Sequence, residues 1–527
     1  MWARFLPLEA MSLLASLAWR RIVTAAVLAL SLSSCDDLPP MPPRQSSQAI
    51  DPATPSTLAR RVAAEHGPRG LSGLRVIESG TDALATLIQL ADGAERTLDL
   101  QYYAVLNDTS ARVLMQRVRA AAERGVRVRL LVDDLNTAGT DDALRRLTSH
   151  PRIEVRLYNP LPSGRMSTVT KIVGSLHDAN RINNRMHNKA FIADNALAVT
   201  GGRNVGDPYF IQAAEANFVD LDVLVAGPVV QQLSQVFDRF WNSELAYPAS
   251  AVVDAAPAAA SAPLDMPDAL PAAARSDVNR RLGQTGRTLG LQWAPARLIA
   301  DRPSKTFAQG EPSEAETMFD DIGALLNSAT RDVLIVTPYF VPGERGMALI
   351  QGLRQRGVQV RILTAALAAT DAPVVHVGYS KYRSPLIAAG VELFELRPEF
   401  TPDGPPPERK SGGGVHSRTN LHSKAVVVDG STLLVGSMNI DPRSDKHNTE
   451  MGLLVRSAPL AQQLLKIIDR TCAQGAYRVD TDGDGDLRWR YTEPDGRAVE
   501  FDHEPRVSWF KRTMWRLLAP LAPETLL

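Results

Sequence analysis

The chain has 527 residues, of which 58 are basic and 58 acidic, so its formal net charge is zero. With 44% hydrophobic and 22% charged residues, the composition excludes a largely disordered chain and a multi-span membrane protein. The balanced charge argues against a general nucleic-acid-binding surface. Two cysteines, Cys35 and Cys472, are too few for a disulfide scaffold or a four-cysteine zinc site.

The N-terminal segment has the layout of a secretory signal. Two arginines precede the apolar run Ile22–Leu32, which is shorter than the about 20 residues that a bilayer span needs. We predict a signal peptide of the lipoprotein type at residues 1–34. The sequence LSSC at 32–35 resembles a bacterial lipobox, which makes Cys35 the expected lipidation site and places a lipid-anchored body at the cell membrane, on the periplasmic side. An uncleaved anchor and an ordinary secreted protein are the alternatives.

A Pro- and Ser-rich tether is predicted at residues 35–70 and a first folded unit at 71–248. Within that unit, strands alternate with helices, which favours a mostly parallel sheet covered on both faces. The predicted elements are a helix at Thr81–Asp92, a strand at Thr97–Tyr103, a helix at Ser110–Arg124, a strand at Val126–Val132, a helix at Asp141–Ser149 and a strand at Ile153–Tyr158.

The same order of elements returns after an Ala- and Pro-rich linker at residues 249–285. The second unit is predicted at 286–475, followed by a C-terminal extension at 476–527 that carries an amphipathic helix at Val507–Leu521. Its elements are a helix at Glu314–Ser328, a strand at Asp332–Tyr339, a helix at Ala348–Arg356, a strand at Val358–Leu363 and a strand at Val391–Leu396. The repeated order predicts a duplicated α/β unit.

Each unit contains one copy of the pattern His-x-Lys-x4-Asp. His187, Lys189 and Asp194 form the first copy, and the second copy begins at His422, 235 residues later, with Lys424 and Asp429. Positions i and i+2 of a strand face the same side, so the histidine and lysine of each copy are expected to project together. An imidazole beside a fixed ammonium group suits a phosphate, because the lysine holds the charge while the imidazole reacts.

Residues that follow each motif extend this interpretation. Small-residue turns ending in Asn204 and Asn439 also lie 235 residues apart, and they allow backbone N–H groups and an amide to approach an anion. Asp220 and Glu450 come a little later, and either carboxylate could orient a ring nitrogen. Two facing half-sites would place one imidazole to attack phosphorus and the other to protonate the leaving alkoxide.

The paired motifs and their trailing turns resemble the phospholipase D superfamily. Further stretches, among them 98–103, 133–139 and 337–343, resemble bacterial cardiolipin synthases of the C type. The resemblance spans about residues 70–527 and implies an α/β fold of two phospholipase D-like domains. Each domain would have a mixed, mostly parallel sheet flanked by helices, and the two would pack with pseudo-two-fold symmetry around one active site.

The resemblance also implies a mechanism. The first histidine, His187, is the expected nucleophile that forms a phosphohistidine, and His422 is the expected acid and then base, although the symmetry leaves this order open. Lys189, Lys424, Asn204 and Asn439 would hold the phosphate oxygens, whereas Asp194 and Asp429 resemble structural residues. Asp220 is one methylene shorter than Glu450, which weakens its expected orienting role. No metal or other cofactor is expected.

The predicted function is phosphatidyl transfer that makes cardiolipin from phosphatidylglycerol and a second phospholipid, with phosphatidylethanolamine as a candidate. The expected partners are these lipids and a membrane surface, with no nucleic acid, while the need for an accessory protein stays open. Phospholipid hydrolysis is the first alternative, a nuclease the second, and an inactive membrane-tethered scaffold the third. The zero net charge counts against the nuclease.

Overall fold

The computed structural model describes residues 38–253 except 163, 177, 211–212 and 214–215, together with 270, 272–284, 288–307, 317–400 and 418–518. The predicted signal peptide, Cys35 and about half of the predicted linker (254–269, 271 and 285) lie outside these residues. The last three residues of the predicted C-terminal helix, 519–521, also lie outside them.

The first half alternates strands and helices, as predicted. Its strands are β1 (Ser72–Ile77), β2 (Thr97–Tyr102), β3 (Arg127–Asp133), β4 (Ile153–Tyr158), β5 (Ala190–Ala193), β6 (Leu197–Gly201), β7 (Ala216–Val219), β8 (Asp222–Ala226) and β9 (Ala246–Pro248). Its helices are α1 (Thr57–Ala64), α2 (Gly80–Gly93), α3 (Thr109–Glu123), α4 (Asp141–Thr148), α5 (Thr168–Gly174), α6 (Ala179–Asn183), α7 (Pro228–Trp241), α8 (Ala249–Val252) and α9 (Ala272–Gln284). The strand β2 is buried at every position because helices cover both faces of the sheet.

The second half repeats this order. Its strands are β10 (Gln292–Ala294), β11 (Ala296–Ala300), β12 (Asp332–Val336), β13 (Gln359–Ala365), β14 (Glu392–Leu396), β15 (Arg418–Leu421), β16 (Ala425–Val428), β17 (Thr432–Gly436), β18 (Met451–Arg456), β19 (Ala476–Thr481), β20 (Leu487–Thr492) and β21 (Ala498–Phe501). Its helices are α10 (Met318–Asn327), α11 (Gly343–Gln355), α12 (Pro373–Ser380), α13 (Arg383–Ala388), α14 (Pro442–Lys446), α15 (Ala458–Gly475) and α16 (Trp509–Leu518).

Eight strands of the two sheets correspond in order: β1-β8-β6-β5-β2-β3-β4-β9 in the first and β11-β18-β17-β16-β12-β13-β14-β19 in the second. The first has the order β10-β1-β8-β6-β5-β2-β3-β4-β9, and the second has the order β11-β18-β17-β16-β12-β13-β14-β19-β20-β21. The mixed α/β fold with two phospholipase D-like halves is therefore confirmed, but the sheets are not mostly parallel. Within the two described sheets, parallel pairing joins β2–β3–β4 and β12–β13–β14, because helices cross over between these strands. Their neighbours return antiparallel through turns, such as those that join β5 to β6 and β16 to β17.

The sheets do not end at the predicted domain boundaries. Strand β10 comes after the predicted linker, yet it pairs with β1 at the edge of the first sheet. Strands β19, β20 and β21 fall in the predicted C-terminal extension but complete the second sheet. The β19–β20 connection around Asp482 is a hairpin turn.

A central core joins the two halves. It contains residues from both sheets, such as Leu131 and Leu363, and the buried faces of α7 and α15, such as Trp241 and Leu464. Separate cores fill the outer side of each sheet. The two halves therefore share buried apolar surface, and this packing brings their two motifs together.

Candidate active site

The two His-x-Lys motifs lie where the sheets meet, at the entries to β5 and β16. His187 and Lys189 precede β5, and His422 and Lys424 precede β16, so the prediction that they lie on the strands themselves is wrong by one to three residues. The segments cross from one half to the other because backbone groups pair between halves. The amide of His187 donates to the carbonyl of Thr449 at 2.9 Å, and the amide of His422 donates to the carbonyl of Val219 at 2.8 Å.

Each histidine is held by the carboxylate of the opposite half. His187 Nδ1 lies 3.0 and 2.9 Å from the two carboxylate oxygens of Glu450. His422 Nδ1 lies 2.5 Å from Asp220 Oδ2. A hydrogen on Nδ1 that is donated to the carboxylate leaves Nε2 free to face a substrate. The reciprocal exchange means that neither half contains a complete oriented imidazole by itself.

The shorter Asp220 reaches its histidine because the backbone beside it is glycine. A Cβ on Gly202 would lie 2.1 Å from Asp220 Oδ1. The corresponding residue in the second half is Ser437, whose hydroxyl donates to the longer Glu450. A second hydroxyl, that of Ser444, donates to the other oxygen of Glu450 at 3.1 Å. Gly202 therefore leaves room for the shorter Asp220, and Ser437 hydrogen-bonds to the longer Glu450, so that each carboxylate reaches its histidine.

The turn glycines do not offer free backbone amides to an anion, contrary to the prediction. The Gly202 amide donates to the carbonyl of Leu221 at 3.0 Å, and the Ser437 amide donates to the carbonyl of Met451 at 2.9 Å. Both donors are used to hold the turn against the following strand. These two amides are therefore not available to a phosphate.

Both lysines are buried beside their histidines. Lys189 Nζ donates to the His187 carbonyl at 2.5 Å, and Lys424 Nζ donates to the His422 carbonyl and lies 3.0 Å from His422 Nδ1. Burial lowers the pKa of both ammonium groups, with Glu450 and Asp220 acting in the opposite direction. Burial disfavours the charge on both lysines, so an anionic ligand beside them would stabilise their ammonium forms.

Burial disfavours the charged form of both imidazoles, more strongly for His187 than for His422. Burial, followed by the charges of Lys189 and Lys424, keeps the pKa of His187 well below its ordinary value. Burial and Lys424 also lower the pKa of His422, while Asp220 partly offsets them. A neutral imidazole is the nucleophilic form.

The two carboxylates differ in charge state. Burial raises the pKa of Glu450 to about 7, although Lys189 opposes the shift. Burial also acts to raise the pKa of Asp220, but His422, Lys424 and Arg203 outweigh it, so the net shift is downward. Asp220 is therefore the more firmly ionised partner, and the two half-sites are electrostatically unequal.

The two asparagines are also unequal. Asn204 is committed to the fold, because its oxygen accepts from the Ala104 amide at 3.2 Å and its nitrogen donates to the Tyr209 hydroxyl at 2.9 Å. Asn439 is buried, and its Oδ1 has no hydrogen-bond partner among the described residues. Asn439 is thus the asparagine whose side-chain amide is better placed to rearrange around a phosphate.

The aspartates of the two motifs lie away from the histidines and anchor turns. Asp194 accepts backbone N–H bonds from Glu95, Arg96 and Thr97 at 2.8–3.2 Å. Asp429 accepts equivalent bonds from the amides of residues 330–332. Both adopt positive φ angles near 50°, so their position in the fold is that of turn anchors.

Sequence reasoning missed the aromatic and charged neighbours of the histidines. Tyr103 packs edge-on against His187 with ring centroids 5.0 Å apart, and Tyr209 and Phe218 pack around His422. The charge of Arg443 lowers the pKa of His187, and that of Asp371 raises the pKa of His422. Tyr103 had a signal, because it follows a strand that ends at the same sheet edge. The others come from short elements and loops, among them β7 and α14, that the sequence analysis did not predict.

His376 and Cys472 are packed residues. His376 is buried, with Nδ1 3.1 Å from the Ala365 carbonyl and Nε2 3.3 Å from Glu504 Oε1. Cys472 is a buried free thiol.

Replacing Gly202 by alanine is expected to displace Asp220 from His422 and to lower the transfer rate about tenfold to 100-fold, since the orienting bond lengthens. The control is Gly352→Ala in α11, where a Cβ meets nothing within 4 Å. That variant should keep full activity and gain about 0.5–1 kcal/mol of stability from the better helix former. The steady-state rates of Gly202→Ala and Gly352→Ala are measured and compared. Equal rates for the two variants would show that Asp220 keeps its position without Gly202.

Both halves of the chain match a known protein family. The family described as "Cardiolipin synthase, PLD-like domain" matches residues 87–241 and 322–472, one match for each half. The chain belongs to the phospholipase D superfamily. Cardiolipin synthase C of Escherichia coli (strain K12) is 38% identical over 468 residues, which cover 87% of this chain and 97% of that protein. The resemblance inferred from the paired motifs is thereby confirmed, and this superfamily member is a phosphatidyltransferase.

More distant relatives agree with this assignment. A cardiolipin synthase of Geobacillus kaustophilus (strain HTA426) is 25% identical over 395 residues, covering 75% of this chain and 64% of that protein. The crystal structure of phosphatidylserine synthase from Haemophilus influenzae Rd KW20 superposes with a TM-score of 0.54 at 13% identity, covering 89% of this chain and 100% of that one. The latter similarity concerns the fold.

The described part of the chain shows neither a metal-binding cluster nor a membrane-spanning helix. Within the described ranges, no group of three or more histidine, cysteine, aspartate or glutamate side chains is arranged to hold a metal ion. Among the helices in the described part of the chain, none combines the length and apolar character required to cross a bilayer.

Proposed function

We propose that this enzyme makes cardiolipin by transferring a phosphatidyl group to phosphatidylglycerol, with a second phosphatidylglycerol or phosphatidylethanolamine as the donor. The observation that carries the proposal is the reciprocal pairing of His187 with Glu450 and of His422 with Asp220 around two buried lysines. This arrangement supplies a nucleophile, an acid and base, and positive charge for one phosphodiester.

In the first step, His187 Nε2 attacks the phosphorus of the donor lipid. The new N–P bond forms as the bond from phosphorus to the head-group oxygen breaks, and His422 gives its proton to the departing alkoxide. Lys189 and Lys424 lie beside the two imidazoles, where they stabilise the charge that spreads over the phosphate oxygens. Glu450 supports the positive charge that develops on His187.

In the second step, the hydroxyl of an acceptor phosphatidylglycerol attacks the phosphohistidine. His422, now neutral, takes the hydroxyl proton, the N–P bond breaks, and His187 returns to its starting form. The products are cardiolipin and either glycerol or ethanolamine, according to the donor. Water in place of the acceptor would give phosphatidic acid, so exclusion of water from the buried site decides between transfer and hydrolysis.

The enzyme is proposed to work at a membrane surface. Lipidation of Cys35 would anchor the chain and place the body in the periplasm. The predicted tether at 35–70 is in large part packed on that body, because Arg44 donates to the carbonyls of Ala246 and Ser243 and α1 lies within the tether. Helix α16 supports a second contact, because Trp509, Phe510 and Leu517 are exposed on it and Lys511 and Arg512 lie between them in sequence.

Product analysis by mass spectrometry tests the proposal. The enzyme is mixed with phosphatidylglycerol vesicles, with and without phosphatidylethanolamine, alongside His187→Asn and, as a matched control, His503→Asn at an exposed turn. We expect cardiolipin from the unchanged enzyme and from His503→Asn, and none from His187→Asn. Phosphatidic acid without cardiolipin would establish the hydrolase instead. Absence of any lipid product would direct the search to an accessory protein and then to nucleic acid substrates.

Replacing Asp220 by asparagine is expected to move the basic limb of the pH–rate profile to lower pH. Asp220 raises the pKa of His422 against burial and Lys424, so its removal lowers that pKa further. A general acid works in its protonated form, below its pKa, so the rate should be lost at lower pH and the maximum should fall about 100-fold.

The measurement is kcat/KM for transfer as a function of pH. Asp484→Asn, in the exposed β19–β20 turn, is the matched control and should leave the profile unchanged. A lower rate for Asp220→Asn with an unmoved basic limb would show that Asp220 does not act through the proton of His422.

A further inference from the structure

Helix α5 exposes its apolar side chains and buries its charged one. Met166, Val169, Val173 and Leu176 are 89%, 70%, 46% and 54% exposed. Val169 and Val173 lie one turn apart on the same face of α5, and Met166 and Leu176 lie just before and just after the helix. We name these four residues the outward apolar stripe. Lys171, on the opposite side of the helix, is fully buried. A helix that rests against a protein core has the reverse arrangement.

Buried polar contacts fix this orientation. Lys171 Nζ donates to the Asp134 carbonyl at 2.5 Å and to Thr137 Oγ1 at 2.9 Å, and it lies 3.0 Å from Asp134 Oδ1. Arg165 pairs with the same Asp134 carboxylate at 2.8 Å. Ser167 caps the helix through a capping box. Rotating α5 to bury the stripe would break these contacts and leave Asp134 buried without its cations, which is costly.

The same anchor connects the stripe to the active site. Asp134 is preceded by Asp133, whose carboxylate accepts two bonds from Arg185 Nε at 2.9 and 3.0 Å and one from the Met186 amide at 2.8 Å. Met186 immediately precedes His187. Adjacent residues at the end of β3 therefore hold α5 on one side and the histidine segment on the other. The stripe and the His187 segment are therefore anchored to neighbouring residues of one strand end.

We infer that the outward apolar stripe inserts into the surface of the phospholipid bilayer and holds the active-site entrance against it. The inference rests on the proposed function, because a diacyl substrate stays in the bilayer and must enter a site in which His187 is 7% exposed. An apolar face of this size enters the boundary between head groups and acyl chains without spanning the membrane. The stripe would act in addition to Cys35 and α16, since its anchor at Asp134 adjoins the residue that holds the His187 segment.

Fluorescence quenching by brominated lipid acyl chains tests insertion. The full-length chain carries Cys35→Ser, so that the buried Cys472 is the other thiol, and an environment-sensitive fluorophore is attached through Val173→Cys. The matched control is Thr168→Cys, an exposed position of the same helix that lies about 140° around the axis. We expect vesicles to quench the probe at position 173 about threefold or more strongly than the probe at 168.

Equal quenching at the two positions, or none at 173, would overturn the inference. An unquenched probe together with concentration-dependent self-association, lost in the variants below, would assign the stripe to a second copy of the chain and would also overturn it. Insertion of 173 with exposure of 168 supports it.

Transfer rates on two forms of phosphatidylglycerol give an independent readout. The variant Val169→Gln, Val173→Gln, Leu176→Gln is compared with Thr168→Gln. We expect the triple variant to lose about tenfold in rate on bilayer substrate and to keep its rate on a short-chain, monomeric substrate. An equal loss on both substrates would contradict a docking role. If the unchanged enzyme makes no product from either substrate, the proposed function fails, and the quenching result still decides whether the stripe inserts.

Discussion

Replacing His422 by asparagine is expected to trap the phosphohistidine, whereas replacing His187 abolishes its formation. With a phosphatidyl 4-nitrophenyl ester as donor, the leaving group departs without a proton, so His422→Asn should release about one nitrophenolate per enzyme and then stop. His187→Asn should show no burst, because the attacking nitrogen is gone. Turnover with phosphatidylglycerol should fall about 10^4-fold in both variants.

The trapped group is located by mass spectrometry of peptides prepared at alkaline pH, where a phosphoramidate survives. We expect the label on His187, because burial and two lysines keep that imidazole neutral and nucleophilic, and because Asp220 supports a proton on His422. A burst in His187→Asn with the label on His422 would show that His422 is the nucleophile and His187 the acid and base. No burst in either variant would argue against a covalent path. His503→Asn should behave as the unchanged enzyme.

The sequence allowed the duplicated fold and the paired motifs to be predicted because both depend on local patterns. The period of apolar residues located β2, β3 and β4 to within one residue or so, and the constant separation of His187 and His422 identified the repeat. The sheet composition was less predictable. Antiparallel returns such as β5–β6 and β16–β17 are short strands, which periodicity does not distinguish from loops.

The partnership of the site residues could not be predicted, since it depends on packing between the halves. Nothing in the spacing of Glu450 from His422 indicates that it orients His187. That contact requires the pairing of β7 with β15 and of Met186 with Thr449 across the interface. The fit of Asp220 likewise depends on Gly202, a residue that the sequence suggested for anion binding. Asp220 orients its histidine at 2.5 Å despite its shorter side chain.

The exposure of the outward apolar stripe also could not be predicted from the sequence. A helix with apolar residues on one face is ordinarily placed with that face in the core, and the sequence at 164–176 offers no reason to depart from this rule. The departure follows from Lys171 and Arg165, which both reach Asp134. A buried ion-pair cluster at the end of β3 therefore determines which face of a distant segment meets the surroundings.

Replacing Asp194 by alanine is expected to destabilise the fold by about 3 kcal/mol while leaving the chemistry of the folded enzyme intact. The carboxylate is buried and accepts N–H bonds from three consecutive residues, so its loss leaves three donors without their acceptor. Alanine also tolerates the φ of 53° at this position less well than aspartate does. Asp194→Asn keeps an acceptor oxygen and should cost about 1 kcal/mol.

Asp429 provides the matched comparison, because it makes the same bonds from a more exposed position. Thr330 and Arg331, two of its donors, lie at the surface, where water can replace the lost carboxylate. Asp429→Ala should therefore cost about 1–2 kcal/mol, less than Asp194→Ala. Urea unfolding gives the free energies, and single-turnover rates at a temperature where every variant is folded give the chemistry. A rate loss of about 100-fold or more in folded Asp194→Ala would mean that the motif aspartate acts on the reaction itself and not through the turn that positions β5.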